Sequence, residues 1–379
     1  MEEKLNDKEK IDENNEKEEE YKIKTYKFIM ISLFTIIFLI IIISLYFFLS
    51  VGNKKREEQA YFCEEGEEDK CLKCQNNKCI NCNIRYQLID GKCKATFSFR
   101  AKYETKIDNE NIDLIYIKFK DNIINMNIDE KEIIPSKNFT FKLSGIHTVY
   151  MAFNTSNIND LSAMFYQIKN LKSIYFSKEF DTKNIKYISN MFFYCGNLTS
   201  IDISNFNTQN LIYMNDLFTG CTSLVSVDLS NFNTKNIKYI YSLFQYCSSV
   251  ISAKLPNFNG GNITHMSSLF KGCSSLKSIN LSNFNTENVI SMSFLFDGCV
   301  SLTSIDLSNF NTQKVQYMIQ MFNNCKNLKY LDISKFSNTS TSYSNFSSSL
   351  PSLGTLKVNK YFYNKVKQFF PESWEILFI

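Results

Sequence analysis

Several residue types are scarce in this 379-residue chain, and each scarcity narrows its possible functions. Only two histidines are present, which leaves little room for a His-based zinc site or a catalytic triad. Lysine and arginine number 42 against 38 acidic residues, so the strong basic excess of a nucleic-acid-binding protein is absent. The sequence therefore predicts no catalytic residues, no metal ion, no cofactor and no nucleic-acid partner.

Charge is missing altogether from residues 28–52, where Ile, Leu and Phe predominate. A helix of these 25 residues spans about 37 Å, enough to cross the roughly 30 Å hydrocarbon layer of a bilayer. We therefore predict one N-terminal transmembrane helix, a retained signal-anchor. A cleaved secretion signal is the alternative, but such signals have apolar cores of only about 7–15 residues. Residues 1–27 carry ten acidic and seven basic side chains and are predicted to be a disordered, cytoplasmic tail.

The twelve cysteines fall into two sets of six, and the first set follows the predicted anchor. Residues 53–93 are too short for a hydrophobic core and are predicted to be a juxtamembrane stalk and a small disulfide module. Its cysteines are Cys63, Cys71, Cys74, Cys79, Cys82 and Cys93. Zinc is the alternative, although only four residues separate the two C-x-x-C pairs, against about 15–20 in zinc ribbons. Disulfides need an oxidising compartment, which places the rest of the chain outside the cell or in a lumen.

A repeat fills residues 164–340 and is the strongest signal in the chain. Its seven units begin with a Met-Phe or Leu-Phe pair, the first interval being 27 residues and the next five 26 each. The first residues of these pairs are Met164, Met191, Leu217, Leu243, Leu269, Leu295 and Met321. A fixed period of 20–29 residues containing L-x-x-L-x-L is typical of leucine-rich repeats.

Each unit contains a strand-like and a helix-like segment. Ile201 and Ile203 alternate with polar neighbours, as in a strand with one buried face. Equivalent strands stacked about 4.8 Å apart would form a parallel sheet on the concave face of a solenoid. A short helix or tight helical turn on the opposite side is predicted by apolar residues at three- and four-residue steps, namely Leu211, Met214, Leu217 and Phe218. Threonines such as Thr208 are expected to cap these turns, and paired asparagines to bond turn backbone between coils.

These units closely resemble the BspA-like leucine-rich repeats of bacterial and protist surface proteins, which follow M-F-x-x-C-x-x-L-x-x-L-D-L-S-x-F-x-T. The resemblance implies an α/β leucine-rich-repeat solenoid and a role in adhesion or in contact with a host or ligand, without catalytic residues. Flanking the repeats, residues 94–163 carry alternating apolar runs that predict a β-rich N-terminal cap. Residues 341–379 are predicted to be a C-terminal cap, in which Trp374 closes the last coil.

The second set of cysteines recurs at the fifth place of six units, the first unit having Ile168 instead. We predict a ladder of buried, reduced thiols, because free cysteine packs as a small hydrophobe. Disulfides between neighbouring coils are an alternative, but stacked side chains that point in parallel have poor geometry for them, and a metal comb is another. The ladder comprises Cys195, Cys221, Cys247, Cys273, Cys299 and Cys325.

The outward strand positions form polar rows, one of which is the candidate binding strip. This row consists of Asp202, Asp228, Lys254, Asn280, Asp306 and Asp332. It is either a partner-binding strip or simply a solvated face. Calcium is a weaker alternative, because Lys254 and Asn280 interrupt the acids and no loop supplies further oxygens.

We expect a non-enzymatic, single-pass membrane protein at the cell surface whose repeats bind an extracellular protein or glycan. The alternative is a passive surface-coat protein without a specific ligand. An enzyme ranks third, because His147 and His265 lie in different segments and neither has a nucleophile at matching spacing. The identity of the ligand, the disulfide pairing and the oligomeric state stay open.

Overall fold

The structure is a computed structural model that describes strand segments 71–75, 78–82, 86–89 and 92–95 and residues 98–379, except 259 and 338–341. The predicted tail and anchor, and the side chains of the predicted disulfide module, lie outside the described residues. No helix in the described part is both long and apolar enough to cross a membrane.

Two short two-stranded sheets precede the main body. Strand β1 (Cys71–Gln75) pairs antiparallel with β2 (Lys78–Cys82), and β3 (Tyr86–Ile89) forms a two-stranded sheet with β4 (Lys92–Ala95). The β1–β2 register places Cys71 opposite Cys82 and Cys74 opposite Cys79.

Residues 98–153 form a β-rich segment ahead of the repeats. Its elements are β5 (Phe99–Thr105), β6 (Glu110–Asp113), a 3₁₀ helix (Ile117–Asn122), β7 (Ile123–Ile128), β8 (Lys131–Ile133), β9 (Asn138–Phe141) and β10 (Gly145–Phe153). Strands β6 and β9 form a separate antiparallel pair. The other strands lie in one sheet ordered β8, β7, β10, β5, which continues into the first coils.

That continuation explains how the first coil is covered. Strand β11 (Leu171–Phe176) pairs antiparallel with β5 and parallel with β12 (Ser200–Asp202) of the next coil. The ring of Phe99 lies 5.5 Å from that of Phe165 and 5.6 Å from that of Phe176. The N-terminal sheet therefore supplies the apolar contacts that a preceding coil would otherwise provide.

The repeats form a β-solenoid of about seven coils, which confirms the predicted stacking. Its further strands are β13 (Ser226–Asp228), β14 (Ser252–Lys254), β15 (Ser304–Asp306), β16 (Phe322–Asn323), β17 (Tyr330–Ile333) and β18 (Ser347–Ser348). Every pair assigned among them is parallel and in register. Residues 278–280, at the equivalent place in the fifth coil, form no strand.

Stacked side chains fill the interior. The Phe of each Met/Leu-Phe pair is buried, and successive rings from Phe192 to Phe322 stack at 5.7 Å with planes within 14° of each other. One residue type can recur at such a position because every coil presents the same space to its neighbour. The repeat in the sequence is thus a repeat of packing.

The predicted helical turns are wrong: no helix occurs in any described coil. Each of the seven coils instead has two residues with left-handed backbone, four positions apart, such as Asn190 (φ 58°) and Tyr194 (φ 55°). Asn190 and Tyr194 are each the third residue of a turn closed by an i→i−3 bond, and between them Phe192 N–H bonds to Leu217 O of the next coil at 3.0 Å. A helix needs i→i−4 bonds and right-handed residues throughout, so these turns exclude it.

The recurring threonines and asparagines link coils rather than cap helices. Thr208 Oγ1 accepts the backbone N–H of Asn233 in the next coil at 2.7 Å. Asn231 Nδ2 donates to Ser204 O of the preceding coil at 2.8 Å, as expected for an inter-coil bond. The second asparagine of the pair, Asn233, instead accepts from Lys235 N in its own turn at 3.1 Å.

The last coil is closed by β19 (Thr355–Val358), helix α1 (Lys360–Val366), a 3₁₀ helix (Lys367–Phe369) and β20 (Glu375–Phe378). These strands extend the sheet of β15 and β17 in parallel. Trp374 is buried, and its Nε1 donates to Pro351 O at 2.8 Å. The Trp374 ring leaves no room for a side chain at Gly354, where a Cβ would lie 2.5 Å from it.

Candidate binding surfaces

The strand register pairs four of the six predicted strip residues, and no strand is assigned at Asn280. Asp228 pairs in register with Lys254, and Asp306 with Asp332. The row also extends beyond its predicted ends, because Tyr175 pairs with Asp202 and Lys357 with Asp332.

Each carboxylate of the strip uses one oxygen to hold the turn that follows its strand. Asp202 Oδ1 accepts the backbone N–H of Ser204 at 3.0 Å, and Asp306 Oδ1 that of Ser308 at 2.9 Å. Asn280 Oδ1 makes the same bond to Ser282 N at 3.0 Å, which explains how an amide replaces the acid there. Part of the acidic repeat is therefore explained by the hydrogen bonds with which these side chains hold the turns.

Lysines neutralise half of the acids. Lys254 Nζ lies 2.9 Å from Asp228 Oδ2, and this ion pair with the bonds from Ser230 lowers the pKa of Asp228 to about 2. Lys357 Nζ lies 3.1 Å from Asp332 Oδ2. Burial acts to raise the pKa of Asp332, but the bonds from Ser334 and Lys357 outweigh it and lower that pKa.

The remaining acids, Asp202 and Asp306, are exposed and belong to different coils. Neither has an ion-pair partner among the residues that the structure describes. The strip is thus less acidic than its composition implies, and its unpaired charge is concentrated at these two carboxylates. No group of three or more His, Cys, Asp or Glu in the described part is placed to hold a metal ion.

The six cysteines of the repeats are free and buried. Each Sγ donates to the carbonyl of the Phe in the Met/Leu-Phe pair of the preceding coil, at distances of 3.0–3.2 Å. The Phe192 carbonyl, for example, accepts from both Cys195 N of its own coil and Cys221 Sγ of the next. Ile168 lies in the first coil, which has no preceding coil whose Phe carbonyl could accept a hydrogen bond from a thiol.

Burial makes these thiols poor nucleophiles and poor metal ligands. It raises the pKa of every one of them, and that of Cys325 to about 12. Only the thiolate attacks or binds a metal, so the ladder is structural.

His147 is held by neighbouring side chains. His147 Nδ1 lies 2.7 Å from Asp129 Oδ2, and its Nε2 lies 3.2 Å from Thr105 Oγ1. Thr105 is only 3% exposed, and its hydroxyl accepts Gly145 N–H at 3.1 Å. These three side chains tie a loop to the sheet. Because Thr105 is buried, a substrate cannot reach its hydroxyl.

Sequence reasoning missed a column of aromatic side chains on another face. Residues four places before each Met/Leu-Phe pair form one-residue parallel bridges from coil to coil. Tyr187, Tyr213 and Tyr239 stack there with ring centroids 5.3 and 5.1 Å apart, and His265 follows at 5.4 Å. The recurrence of Tyr at a 26-residue interval was the available signal.

A family profile described as "Mycoplasma protein of unknown function, DUF285" matches residues 136–253 and again residues 238–352. The two matches together span 217 of the 379 residues and all seven repeats begin within them. No curated protein matches the chain.

Proposed function

This chain belongs to the DUF285 family, and from that premise we propose that it is a membrane-anchored surface protein whose solenoid binds a protein or glycan partner. The repeats resemble BspA-like leucine-rich repeats in their M/L-F-x-x-C-x-x-L pattern, and surface adhesion is the role that this resemblance implies. The uncharged residues 28–52 supply the single-pass anchor, with residues 53–379 outside the cell. The solenoid needs no catalytic residue for this role.

One observation carries the binding proposal. The strip is a row of polar side chains whose strands pair in register in part of the solenoid. It leaves two carboxylates unpaired and exposed, at Asp202 and Asp306. Repeat proteins use rows of this kind because stacked coils hold their side chains at a fixed spacing that a rigid partner can match. A partner that presents cationic groups at the corresponding spacing fits this row.

The test replaces each unpaired carboxylate by its amide in the full-length chain. Asp202→Asn and Asp306→Asn keep an oxygen that accepts the turn N–H and remove only the charge. Asp181→Asn is the matched control, because Asp181 Oδ1 makes the same turn bond to Lys183 N at 2.9 Å away from the strip. Binding is measured on an array of extracellular proteins and glycans.

Saturable binding that weakens about tenfold in the double strip variant, but not in Asp181→Asn, supports the proposal. No saturable binding to any arrayed protein or glycan contradicts it and favours the alternative, a passive surface coat. Protease treatment of intact cells carrying a C-terminal tag tests the topology. Loss of the tag supports an external solenoid, and full protection of the tag contradicts it.

A further inference from the structure

Two exposed tyrosines, Tyr194 and Tyr246, each pack against a glycine of the next coil. Tyr194 and Tyr246 are 45% and 42% exposed, and both occupy the second left-handed position of their coils. The equivalent residue of the next coil is Gly220 or Gly272, each with positive φ. A Cβ on Gly220 would lie 2.9–3.1 Å from three atoms of the Tyr194 ring, and one on Gly272 2.6 Å from the Tyr246 ring.

The glycines therefore make room for the rings. Three Tyr194 ring atoms are almost equidistant from one point on Gly220, so the ring meets the glycine through its face and not its edge. Nearly half of each tyrosine is exposed, so part of its ring surface is open to solvent. Tyr and Gly alternate at this position over the four coils that begin at residues 191, 217, 243 and 269.

The alternation also sets the spacing between the two rings. Tyr194 and Tyr246 are two coils apart, which corresponds to about 10 Å at the usual distance between paired strands. One extended chain of linked rings can therefore contact both tyrosines, with successive contacts in a fixed register.

The surface beside these tyrosines is rich in hydroxyl groups, and Lys271, which precedes Gly272, is paired with Asp297 at 3.2 Å. The two positions after each cysteine hold Gly196 and Asn197, Thr222 and Ser223, Ser248 and Ser249, and Ser274 and Ser275. Thr222 and Ser274 donate to carbonyls of the preceding coil at 3.1 and 3.2 Å. Because a hydroxyl that donates keeps its acceptor lone pairs, this row can accept hydrogen bonds from a ligand rich in hydroxyl groups.

Further aromatic side chains extend this surface toward the N-terminal sheet. The Phe193 ring lies 4.7 Å from that of Tyr194 and stacks on Tyr166 at 5.0 Å. Tyr116, which is 41% exposed, meets Tyr166 edge to face at 6.1 Å. The aromatic surface therefore runs from the N-terminal sheet to the fourth coil, long enough for an extended ligand.

The other tyrosine column cannot play the same part. Tyr213 lies between Tyr187 and Tyr239, and Tyr239 lies between Tyr213 and His265, so each of these two rings meets other rings on both sides. Stacking of a ligand ring requires an open aromatic face. Tyr194 and Tyr246 differ in that the next coil contributes glycine there and not a second ring.

We propose that the face formed by Tyr194, Tyr246 and the hydroxyl row beside them binds a neutral, linear glycan. The face of a pyranose ring that bears C–H groups is apolar, and it leaves water when it lies on an aromatic ring. The hydroxyl row accepts hydrogen bonds from the sugar hydroxyls, which fixes the orientation of the chain. This inference rests on the proposed binding function but assigns the glycan to a face other than the strip.

The test uses the full-length chain and four immobilised hexasaccharides, those of cellulose, chitin, xylan and amylose. We expect saturable binding to at least one of them. Tyr194→Ala and Tyr246→Ala should each weaken it about tenfold, whereas Tyr246→Phe keeps the ring and should stay within about threefold of wild type. Tyr361→Ala, which removes a 78% exposed tyrosine from α1, is the control and should bind as wild type. Circular dichroism of each variant checks that the solenoid is folded.

Failure to bind any of the four hexasaccharides overturns this inference, and so does equal binding by wild type and both alanine variants. Binding lost equally in Tyr246→Phe and Tyr246→Ala also overturns it, because the hydroxyl and not the ring face would then be the contact. The strip variants keep the two proposals apart. A partner lost with Asp202→Asn and Asp306→Asn, with no hexasaccharide bound, refutes the glycan face and leaves the proposed function intact.

Discussion

Alkaline pH is expected to destabilise the solenoid, because its six buried thiols must stay protonated in the folded state. Burial raises their pKa, to about 12 for Cys325, whereas an unfolded cysteine has a pKa of about 8.5. Between these two values the folded chain binds more protons than the unfolded chain, so the free energy of unfolding falls as pH rises. The contribution is complete below about pH 8 and is lost progressively from about pH 8.5 upward.

The size of the effect follows from the unfolded pKa. At pH 9.5, ionisation stabilises the unfolded state by about 1.4 kcal/mol for each thiol that stays protonated when folded. Six such thiols give about 8 kcal/mol, which is comparable with the roughly 5–15 kcal/mol total stability of a typical domain. The solenoid should therefore be close to unfolding near pH 9.5 to 10.

The assay is urea denaturation, followed by circular dichroism, at pH 7.5 and pH 9.5. Cys247→Ser removes one titrating group, so between these two pH values it should lose about 1.4 kcal/mol less than wild type. Val250→Ala is the control, because it creates a cavity in the same coil but keeps all six thiols and should show the full loss. An identical loss in wild type and Cys247→Ser, or no loss in either, would refute the reasoning.

Three further outcomes are expected. Phe244→Ala removes a ring from the continuous stack and should lower the free energy of unfolding by about 4 kcal/mol in urea denaturation, and a loss below about 1 kcal/mol would contradict the packing. Lys254→Ala should raise the pKa of Asp228 toward its ordinary value in an NMR titration with little change in unfolding, and an unchanged pKa would exclude the ion pair as its cause. Gly272→Ala should destabilise more than Gly298→Ala, because both need positive φ but only the first forces a Cβ into a tyrosine ring; equal unfolding midpoints would refute this.

The repeat itself was predictable, and the helical turn was not. A period of 26 residues with one Phe per unit indicates stacking, since only a neighbouring coil can bury so regular an apolar position. The steps between Leu211, Met214 and Leu217 were misread as helical. A succession of tight turns closed by i→i−3 bonds also places apolar residues about three positions apart. The left-handed residues that distinguish the two are of many types, among them Asn190 and Phe294, so composition does not mark them.

The candidate surfaces were predictable only in part. Alternation along the strands predicted one row of aspartates, of which the register pairs Asp306 with Asp332. It did not indicate that Lys357 would join Asp332. The flat tyrosines were also missed, because a Tyr in one unit and a Gly in the next look like unrelated departures from the repeat. They make sense only as a pair in contact.

What the sequence alone determined is the length of the coil and the identity of its interior positions, because both follow from periodicity along one chain. What only the tertiary structure decided is which polar atoms meet. Cys247 Sγ donates to a carbonyl 29 residues earlier, in the preceding coil. Thr208 Oγ1 accepts from a backbone N–H 25 residues later, in the next coil. The physical reason is that a solenoid satisfies its polar groups between coils, and the pairing depends on how neighbouring coils are aligned in space.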